Sequence, residues 1–384
     1  MVNNTALSAR ALRILNVCPI VNAEPRTGAL WLPQNNNPVE IKKILLPSKN
    51  LAEDLHAAFS RHECDNPQFG LDWLDNLVRT ALTGHESAAL YVARRGPGDL
   101  VALPLKLDGR TGQAHALANF YTSTYTPVIQ SDSSRPLLVA LLRFLADRER
   151  FTALTLSPID SQTPFFAEVA ALLEDAGWTG VHHYACFANW THSLEDAPFQ
   201  TYLSNRPSRL SNTINRKTRS FFKHDRGRME VLHGGEQVEY GIKAFVSIYE
   251  RSWKTNEPFD AFMPELIRLS ARRDWLRLGL AYYDDIPVAS QVWLVSGGVA
   301  YIYKLAHLDE YAHLSPGTVL SAFMLERAID QDHIATVDFL TGDDDYKKDW
   351  MSHRGERKGV AAYNPRTLRG RALQLGHTLK RRFK

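Results

Sequence analysis

The chain has 384 residues, which suffice for about two domains with buried cores, and its 44% hydrophobic and 23% charged residues are typical of folded rather than disordered or fibrous proteins. The 45 Lys and Arg residues exceed the 42 Asp and Glu residues by only 3, so the net charge by itself indicates no nucleic-acid partner. Any strongly basic surface must therefore be local.

The first half of the chain alternates between helical and strand patterns. Residues 1–50 are predicted to form an irregular N-terminal arm. From residue 51 onward, apolar residues at helical spacing predict a helical region, followed by three antiparallel strands that are bounded by turn residues. A helix, a strand, a second helix and a last strand follow. This order predicts a first α+β domain over residues 51–195.

The second half repeats the same order between residues 262 and 340 in different residue types, which predicts a duplicated architecture. A helix, three strands linked by turns, another helix and a closing strand succeed one another. A helix-rich bridge precedes them and contains a predicted strand at 228–234. The sequence therefore predicts a second α+β domain over 196–365 and a separate C-terminal tail over 366–384.

Positive charge is concentrated in the bridge, where residues 206–228 contain eight Lys or Arg residues and one acid, Asp225. Such a segment attracts a nucleotide, a tRNA or an anionic polymer. A solvated helix face would have the same composition, so both interpretations stay open.

The tail is also basic, with seven Lys or Arg residues between 366 and 384. Its apolar residues recur at helical spacing and are Leu368, Ala372, Leu375, Leu379 and Phe383. This pattern predicts a basic amphipathic helix that can lie on the surface of an anionic membrane, although a short basic tail can also remain unbound.

Three features that are missing from the sequence bear on where in the cell the protein is expected. No apolar run approaches the ~20 residues that span a bilayer. The N-terminal segment predicts no signal peptide, because Arg13 and Asn16 interrupt its apolar stretch. The spacing of Cys18, Cys64 and Cys186 predicts neither a disulfide framework nor a metal-binding CxxC pair. We therefore expect a cytoplasmic protein, with the tail as a peripheral contact at the inner membrane face.

The segment YIYKLAHLDEYAHLSPGTVL at 301–320 joins a strand to a helix through a loop. Ser315 is suited to cap the helix and Pro316 to occupy its first position, while Gly317 allows a ligand to approach main-chain amides that lack partners within the helix. A phosphate or pyrophosphate is favoured at such a helix start. A plain helix cap has the same sequence, so this alternative stays open.

A second polar segment, DDDYKKDW, follows the closing strand, where side chains are presented to a cleft. Asp343 and Asp345 are candidate bases for an amine, and Tyr346 is a candidate acid. Lys347 is a candidate ligand for a phosphate or a carboxylate. A solvated turn explains the same charges, and Asp338 within the strand is expected to make a structural hydrogen bond. The carboxylates lack the spacing of a metal site, so no metal is expected.

Both segments, together with the preceding residues QVWLVSGGVAYIYK, resemble GNAT-type acetyltransferases of the BioF2-like and CelD (BcsL)-like group, which is related to the FemAB and FemX aminoacyl transferases. The resemblance covers residues 200–370, whereas residues 51–190 match only in predicted architecture. It implies two tandem GNAT-like domains with mixed, mostly antiparallel sheets flanked by helices. The first domain would be degenerate and hold the acceptor, and the second would hold acetyl-CoA or another acyl-CoA.

The resemblance also implies which residues form the site. The donor would contact the strand and the helix start through Tyr303, Leu305, Ala306, Ser315, Pro316, Gly317 and Thr318. The acceptor would contact residues around the cleft, namely Trp253, Gln291, His307, Tyr311 and Lys347. Proton transfer would fall to Asp343, Asp345 and Tyr346. Core packing is the alternative for Trp253, and it is favoured for Tyr301, which shares a strand face with Tyr303.

These observations predict an acyl-CoA-dependent N-acyltransferase, most simply an N-acetyltransferase, whose acceptor is an amine such as an amino sugar or a polysaccharide or envelope precursor. Two alternatives stay open. A FemAB-like transferase would use aminoacyl-tRNA and would bind it through the basic bridge in a salt-dependent manner. A non-catalytic adaptor of polysaccharide biosynthesis would keep the fold and would not be stabilised by acetyl-CoA.

Overall fold

The structure is a computed structural model that describes residues 39–48, 50–131, 133–254 and 257–382. The predicted N-terminal arm therefore lies largely outside the described residues. Its last part forms a regular strand, Glu40–Leu46, so the prediction of an irregular segment is wrong there. None of the helices in the described ranges combines the length and the apolar character that crossing a membrane requires.

Strands and helices alternate along the described chain. The strands are β1 (Glu40–Leu46), β2 (Glu86–Gly96), β3 (Asp99–Asp108), β4 (Gln113–Ala116), β5 (Val128–Gln130), β6 (Ala153–Asp160), β7 (Thr179–Ser193), β8 (Gly227–Leu232), β9 (Leu276–Tyr283), β10 (Ile286–Ser296), β11 (Val299–His307), β12 (Thr336–Thr341) and β13 (His353–Tyr363). The α-helices are α1 (Glu53–Asp65), α2 (Leu71–Thr80), α3 (Ser134–Asp147), α4 (Pro164–Asp175), α5 (Phe199–Ser204), α6 (Ser208–Phe221), α7 (Val238–Glu250), α8 (Phe262–Arg272), α9 (Pro316–Asp330), α10 (Lys347–Trp350) and α11 (Leu368–Arg382).

These strands form one sheet in the order β1-β2-β3-β4-β6-β13-β7-β12-β11-β10-β9-β8, and β5 adds to β3. Two neighbouring pairs, β4·β6 and β11·β12, are parallel, and the other pairs are antiparallel. The predicted mixed, mostly antiparallel sheet flanked by helices is therefore confirmed. The two parallel pairs occupy equivalent places in the two halves, which is the duplicated architecture that the repeated element order predicts.

The halves are joined by an exchange of strands at the centre of the sheet. Strand β13, at the C-terminal end of the chain, lies between β6 and β7 of the first half, and β7 in turn pairs with β12 of the second half. No sequence pattern identified β13 as a strand. Its many main-chain hydrogen bonds to β6 and β7 make the two halves parts of one sheet.

Apolar helix faces cover the sheet. In α3, Leu137, Leu141 and Leu145 recur every four residues and are fully buried, and burial of each stabilises the fold by about 2 kcal/mol. A second core spans both halves, because Trp73 on α2 meets Phe262 on α8 with ring centroids 5.6 Å apart. This shared core holds the two halves together beside the site described below.

The cysteines depart in part from the sequence prediction. Cys64 is disulfide-bonded, whereas Cys186 is a free thiol that is partly buried. The sequence predicts no disulfide framework from the three cysteines, whereas in the structure Cys64 takes part in a disulfide bond.

Candidate functional site

The two parallel strands of the second half separate after a short paired stretch. Val299, Ala300 and Tyr301 of β11 pair with residues 336–338 of β12, and no further pairs join these strands. On its other side, β11 stays paired with β10 as far as His307. The main-chain groups of β11 that follow Tyr301 and face β12 therefore lack a strand partner across this gap.

The separation has a local cause in β12. Leu340 has a left-handed backbone with φ of 53°, a conformation that costs a non-glycine residue ~1 kcal/mol or more. The buried carboxylate of Asp338 accepts hydrogen bonds from the Leu340 amide at 2.7 Å and from Asn189 Nδ2 at 2.6 Å. Asp338 thus makes the structural bond that the sequence predicts, and it stabilises the bend that opens the gap.

A cavity of about 350 Å³ lies in this gap and receives residues from both halves. The first half contributes the segment after β4, and the second half contributes β11, β12 and the turn after β12. Its lining residues are Phe120, Tyr121, Ser123, Tyr249, Lys254, Ile302, Tyr303, Lys304, Leu305, Phe339, Leu340, Thr341, Asp344, Tyr346 and Lys347. The sequence prediction of a cleft between the halves therefore coincides with a cavity in the structure.

Aromatic side chains connect the halves across this cavity. The hydroxyl of Tyr303 donates a hydrogen bond to the carbonyl of Tyr121, and the Tyr121 ring stacks on Phe262 with centroids 4.0 Å apart. Tyr301 on the same face of β11 is buried and donates to the carbonyl of Asp65 at 2.9 Å, so the prediction that Tyr301 packs in the core is confirmed. Burial raises the pKa of the phenols of Tyr301 and Tyr303.

Lys347 is buried and its ammonium is already bound within the chain. It donates to the carbonyl of Thr341 at 2.6 Å and to that of Phe339 at 3.3 Å, and it lies 3.6 Å from a carboxylate oxygen of Asp344. Gly342, with φ of 116°, leaves room for this ammonium, because a Cβ there would lie 3.1 Å from Lys347 Nζ. Burial lowers the pKa of Lys347, and Asp344 opposes that effect. Lys347 lines the cavity as predicted, but these bonds leave it less free to hold an acceptor anion.

Asp344, and not its predicted neighbours, is the aspartate that lines the cavity. Asp343 forms an ion pair with Arg354 at 2.6 Å and accepts from Trp190 Nε1, and these hydrogen bonds lower its pKa to about 2. The side chain of Asp345 is 97% exposed and pairs with Lys348. The structure therefore corrects the prediction that Asp343 or Asp345 removes the amine proton, because neither carboxylate lines the cavity and both are paired.

Tyr346 lines the cavity and remains 42% exposed. Its ring meets Phe339 with centroids 6.0 Å apart, and burial of the phenol raises its pKa. The phenol therefore stays protonated at neutral pH, which is the state that a general acid requires.

Helix α9 begins at Pro316, as predicted, but the predicted cap by Ser315 is wrong. Ser315 has a left-handed backbone with φ of 53°, and its side chain makes no capping hydrogen bond. Gly317 lies in the first turn, where main-chain amides have no acceptor within the helix. A Cβ at Gly317 would lie 3.3 Å from Nδ1 of His307, so glycine allows this close approach of the His307 ring. Thr318, also in this turn, is partly buried.

Gln291 is a structural residue and not an acceptor ligand. Its side chain is fully buried, and its amide nitrogen donates to the carbonyl of Gly317 at 2.9 Å and to Ser321 Oγ at 2.8 Å. Its oxygen accepts from Trp293 Nε1 at 2.9 Å. The prediction that Gln291 contacts the acceptor is therefore wrong, and the side chain instead fixes the start of α9 against β10.

Three predicted acceptor residues, Trp253, His307 and Tyr311, are not among the residues that line the cavity. Trp253 is 48% exposed and meets the ring of His307 with centroids 4.3 Å apart. Burial lowers the pKa of His307. Tyr311 is partly buried and packs against Tyr283, with centroids 6.1 Å apart. Of the predicted donor residues, Leu305 lines the cavity, whereas Ala306 is buried behind it.

Comparisons with known proteins agree with this architecture. Residues 208–348 match the family model described as the acetyltransferase (GNAT) domain. The structure of FemX superposes with a TM-score of 0.56 at 13% identity, over 87% of this chain and 99% of that one. A tandem GNAT protein from the clavulanic acid biosynthesis pathway superposes with a TM-score of 0.51 at 14% identity, over 85% of this chain and 100% of that one. A comparison with curated protein sequences found no match.

The chain has a tandem GNAT-like fold. The predicted fold class is therefore confirmed, and the gap between β11 and β12 lies within the region that the GNAT family model matches.

The sequence analysis missed several residues at the cavity between β11 and β12. Phe120 and Tyr121 come from the first half, and Tyr249 and Lys254 come from the segment before α8. Glu257 pairs with Lys304 at the cavity wall. The cluster of aromatic residues in NFYTSTY, after β4, was the available signal for the first two. The others are scattered along the chain, so only the tertiary structure brings them together.

Proposed function

We propose that this protein is an acyl-CoA-dependent N-acyltransferase whose thioester lies in the gap between β11 and β12. The observation that supports the proposal is the separation of these strands, which places main-chain groups without strand partners beside a cavity. Main-chain N–H groups aimed at a developing oxyanion stabilise the transition state of acyl transfer.

The start of α9 is the proposed site of the CoA diphosphate. The first turn combines partial positive charge with a glycine, Gly317, that is only partly buried. A cation also lies nearby, because Lys217 on α6 donates a hydrogen bond to the carbonyl of His313, just before α9. Since α9 follows β11, a diphosphate here and a thioester in the gap are compatible with one extended donor.

Two side chains of the cavity are assigned to proton transfer. The amine must lose a proton as it attacks the thioester carbonyl, and the thiolate must gain one as it leaves. Asp344 is the carboxylate that lines the cavity, so we assign it to the amine. Tyr346 is protonated at neutral pH and lines the same cavity, so we assign it to the thiolate.

The identities of the donor and of the acceptor in this proposal follow from the resemblance to the BioF2-like and CelD-like group. The donor is acetyl-CoA, and the acceptor is an amino sugar or an envelope precursor of the kind that the BioF2-like and CelD-like group suggests. The protein would act in the cytoplasm.

Helix α11 supports a further part of the proposal, contact with an anionic membrane. Its exposed residues include the stripe of Leu368, Ala372, Leu375 and Leu379, whereas Gln374 bonds Thr179 and His377 stacks on His182. The leucines of the stripe are 85%, 62% and 46% exposed in chain order. An exposed apolar stripe with basic neighbours fits the surface of a bilayer. The predicted residue Phe383 lies outside the described residues.

Titration of the full chain with acetyl-CoA tests the proposal. Specific binding should raise the midpoint of thermal unfolding as the acetyl-CoA concentration rises, since a ligand that binds only the folded state stabilises it. Addition of amine acceptors should then release free thiol, which a thiol reagent detects. Absence of both effects would contradict an acyl-CoA transferase. Thiol release that requires no amine would indicate hydrolysis instead.

A further inference from the structure

The cavity between β11 and β12 carries positive charge that the chain does not fully compensate. Its lining contains three lysines, Lys254, Lys304 and Lys347, and one carboxylate, Asp344. Glu257 forms an ion pair with Lys304 at the cavity wall, and Asp344 lies 3.6 Å from Lys347. These two carboxylates leave the charge of Lys254 uncompensated.

Lys254 has no carboxylate partner within the described ranges. Its ammonium lies 5.2 Å from the centroid of the Trp253 ring, and its side chain is exposed. Burial lowers the pKa of Lys304 and of Lys347, and the charge of Lys254 adds a smaller effect in the same direction, so Lys254 acts on both ammonium groups of the cavity. A concave surface concentrates such a field, so a ligand anion gains more here than it would gain at an isolated surface lysine.

The other groups that face the cavity do not take this role. Lys347 is bound by main-chain carbonyls, and Lys304 is held by Glu257. Phe120 and Tyr346 are 63% and 42% exposed at the rim, so they offer ring surface on which the body of a ligand can pack. Lys254 is therefore the cation that is available to a bound anion.

We infer that the acceptor carries a carboxylate or a phosphate in addition to its amine, and that Lys254 binds this anionic group. The inference rests on the proposed function, because it names the acceptor class for the same cavity. An amine without an anion would enter as a cation and meet the charge of Lys254. An acceptor with an anion balances that charge, and the lysines then favour the neutral amine that attacks the thioester.

Matched probes that differ only in the anion test this inference. Glucosamine 6-phosphate and glucosamine form the phosphate pair, and phenylalanine and phenethylamine form the carboxylate pair. Binding to the full chain is measured by calorimetry without acetyl-CoA, and thiol release is measured with it. We expect about tenfold tighter binding or higher kcat/KM for the anionic member of at least one pair, as for one hydrogen bond to a charged group.

Substitutions at Lys254 then locate the anion. Lys254→Met should remove the preference, and Lys254→Glu should reverse it. Both substitutions are made at an exposed position, and the midpoints of thermal unfolding of the two variants check that the fold is kept. The control is Lys348→Met, which removes an exposed lysine that lies outside the cavity lining and pairs with Asp345. This control should keep the preference.

The outcomes separate the inference from the proposed function. Equal affinity for both members of each pair, no binding of either anionic probe, or a preference that survives Lys254→Met overturns the inference. Acetyl-CoA binding is unaffected by any of those results, so the acyltransferase proposal would stand. Conversely, a Lys254-dependent preference without acetyl-CoA binding would support the anion site and contradict the donor.

Discussion

Lys304 and Glu257 form an ion pair at the wall of the cavity, with side chains only 14% and 10% exposed. The ammonium of Lys304 also lies 4.6 Å from the ring centroid of Phe120 and 5.1 Å from that of Tyr121. These rings belong to the first half of the chain, whereas Lys304 lies on β11. The ion pair lies within the second half, and the Lys304 ammonium also contacts aromatic rings of the first half at the site.

Glu257→Gln should destabilise the protein, because it leaves the ammonium of Lys304 buried without its carboxylate. Loss of one partner of a buried pair costs about 3 kcal/mol, whereas replacement of both partners by apolar side chains costs much less. Urea unfolding of Glu257→Gln and of the double variant Lys304→Met with Glu257→Leu measures the difference. Equal losses in the two variants would show that the pair does not act through charge.

Asp344→Asn should lower kcat/KM for the acceptor by about tenfold or more, since this carboxylate is the one assigned to the amine proton. The matched control is Asp345→Asn in the same turn, where the side chain is 97% exposed and pairs with Lys348. Steady-state rates of thiol release measure both variants. The assignment fails if the two substitutions have the same effect, or if Asp344→Asn changes only the KM for acetyl-CoA.

Gly317→Asp should weaken CoA binding by about tenfold, because it places a carboxylate at the helix start that is proposed to bind the diphosphate. Gly317→Ala is the control for size, since its Cβ would lie 3.3 Å from His307 Nδ1 and would require only a small shift. Calorimetric titration with CoA compares the variants. Affinities that do not differ between the aspartate and alanine variants would remove the diphosphate from this position.

His192 should make the protein less stable in acid. Its ring nitrogen Nδ1 lies 2.9 Å from Ser352 Oγ, and burial together with the charge of Arg206 lowers its pKa to about 4. An unfolded histidine binds its proton near pH ~6.5. The unfolded chain therefore takes up this proton first, and the contribution of His192 to stability is lost as the pH falls from about 6.5 toward 4.

Midpoints of thermal unfolding, measured between neutral pH and pH ~4, test whether His192 lowers stability as the pH falls. The midpoint of His192→Gln should fall less steeply than that of the wild-type chain. His85→Gln, at an exposed position before β2, is the control and should follow the wild-type slope. A steeper fall in His192→Gln would mean that the imidazolium is favoured in the folded state, contrary to the burial of this ring.

The double substitution Leu375→Ser and Leu379→Ser should reduce binding to vesicles that contain phosphatidylglycerol. The two leucine side chains form part of the exposed stripe on α11. Their exposure means that the unfolding midpoint should not change. Ile286→Ser, at another exposed apolar position, is the control for general hydrophobicity. Sedimentation with phosphatidylglycerol vesicles and with phosphatidylcholine vesicles measures binding. Equal binding by the double variant and the wild-type chain would contradict membrane contact through α11.

The sequence was most informative where interactions between residues close together in the chain decide the secondary structure. Apolar periodicity predicted α3, α9 and α11, because the faces of these helices depend on spacing along the chain. Pro316 marked a helix start correctly, since proline favours the first helical position. Ser315 failed as a cap, because its backbone is left-handed instead of extended and its side chain makes no capping hydrogen bond.

At Gln291 and Asp343 the sequence prediction failed because contacts with residues distant along the chain decide the outcome. Gln291 has the residue type of a ligand, but three partners on β10 and α9 bury and saturate it. Among the three consecutive aspartates, the turn after β12 directs only Asp344 into the cavity, and Arg354 holds Asp343 outside. Residue type and spacing cannot distinguish neighbours that a turn points in different directions.

The amino-acid sequence alone determined the α+β class, the duplication and the strand-to-helix segment near residue 315, because each depends on patterns within about 20 residues. The tertiary structure decided that β13 enters the first half of the sheet and that β11 and β12 separate after Tyr301. It also decided that Lys304 meets Glu257. These features depend on pairings between distant segments, whose energies come from packing and burial and leave no periodic signal in the chain.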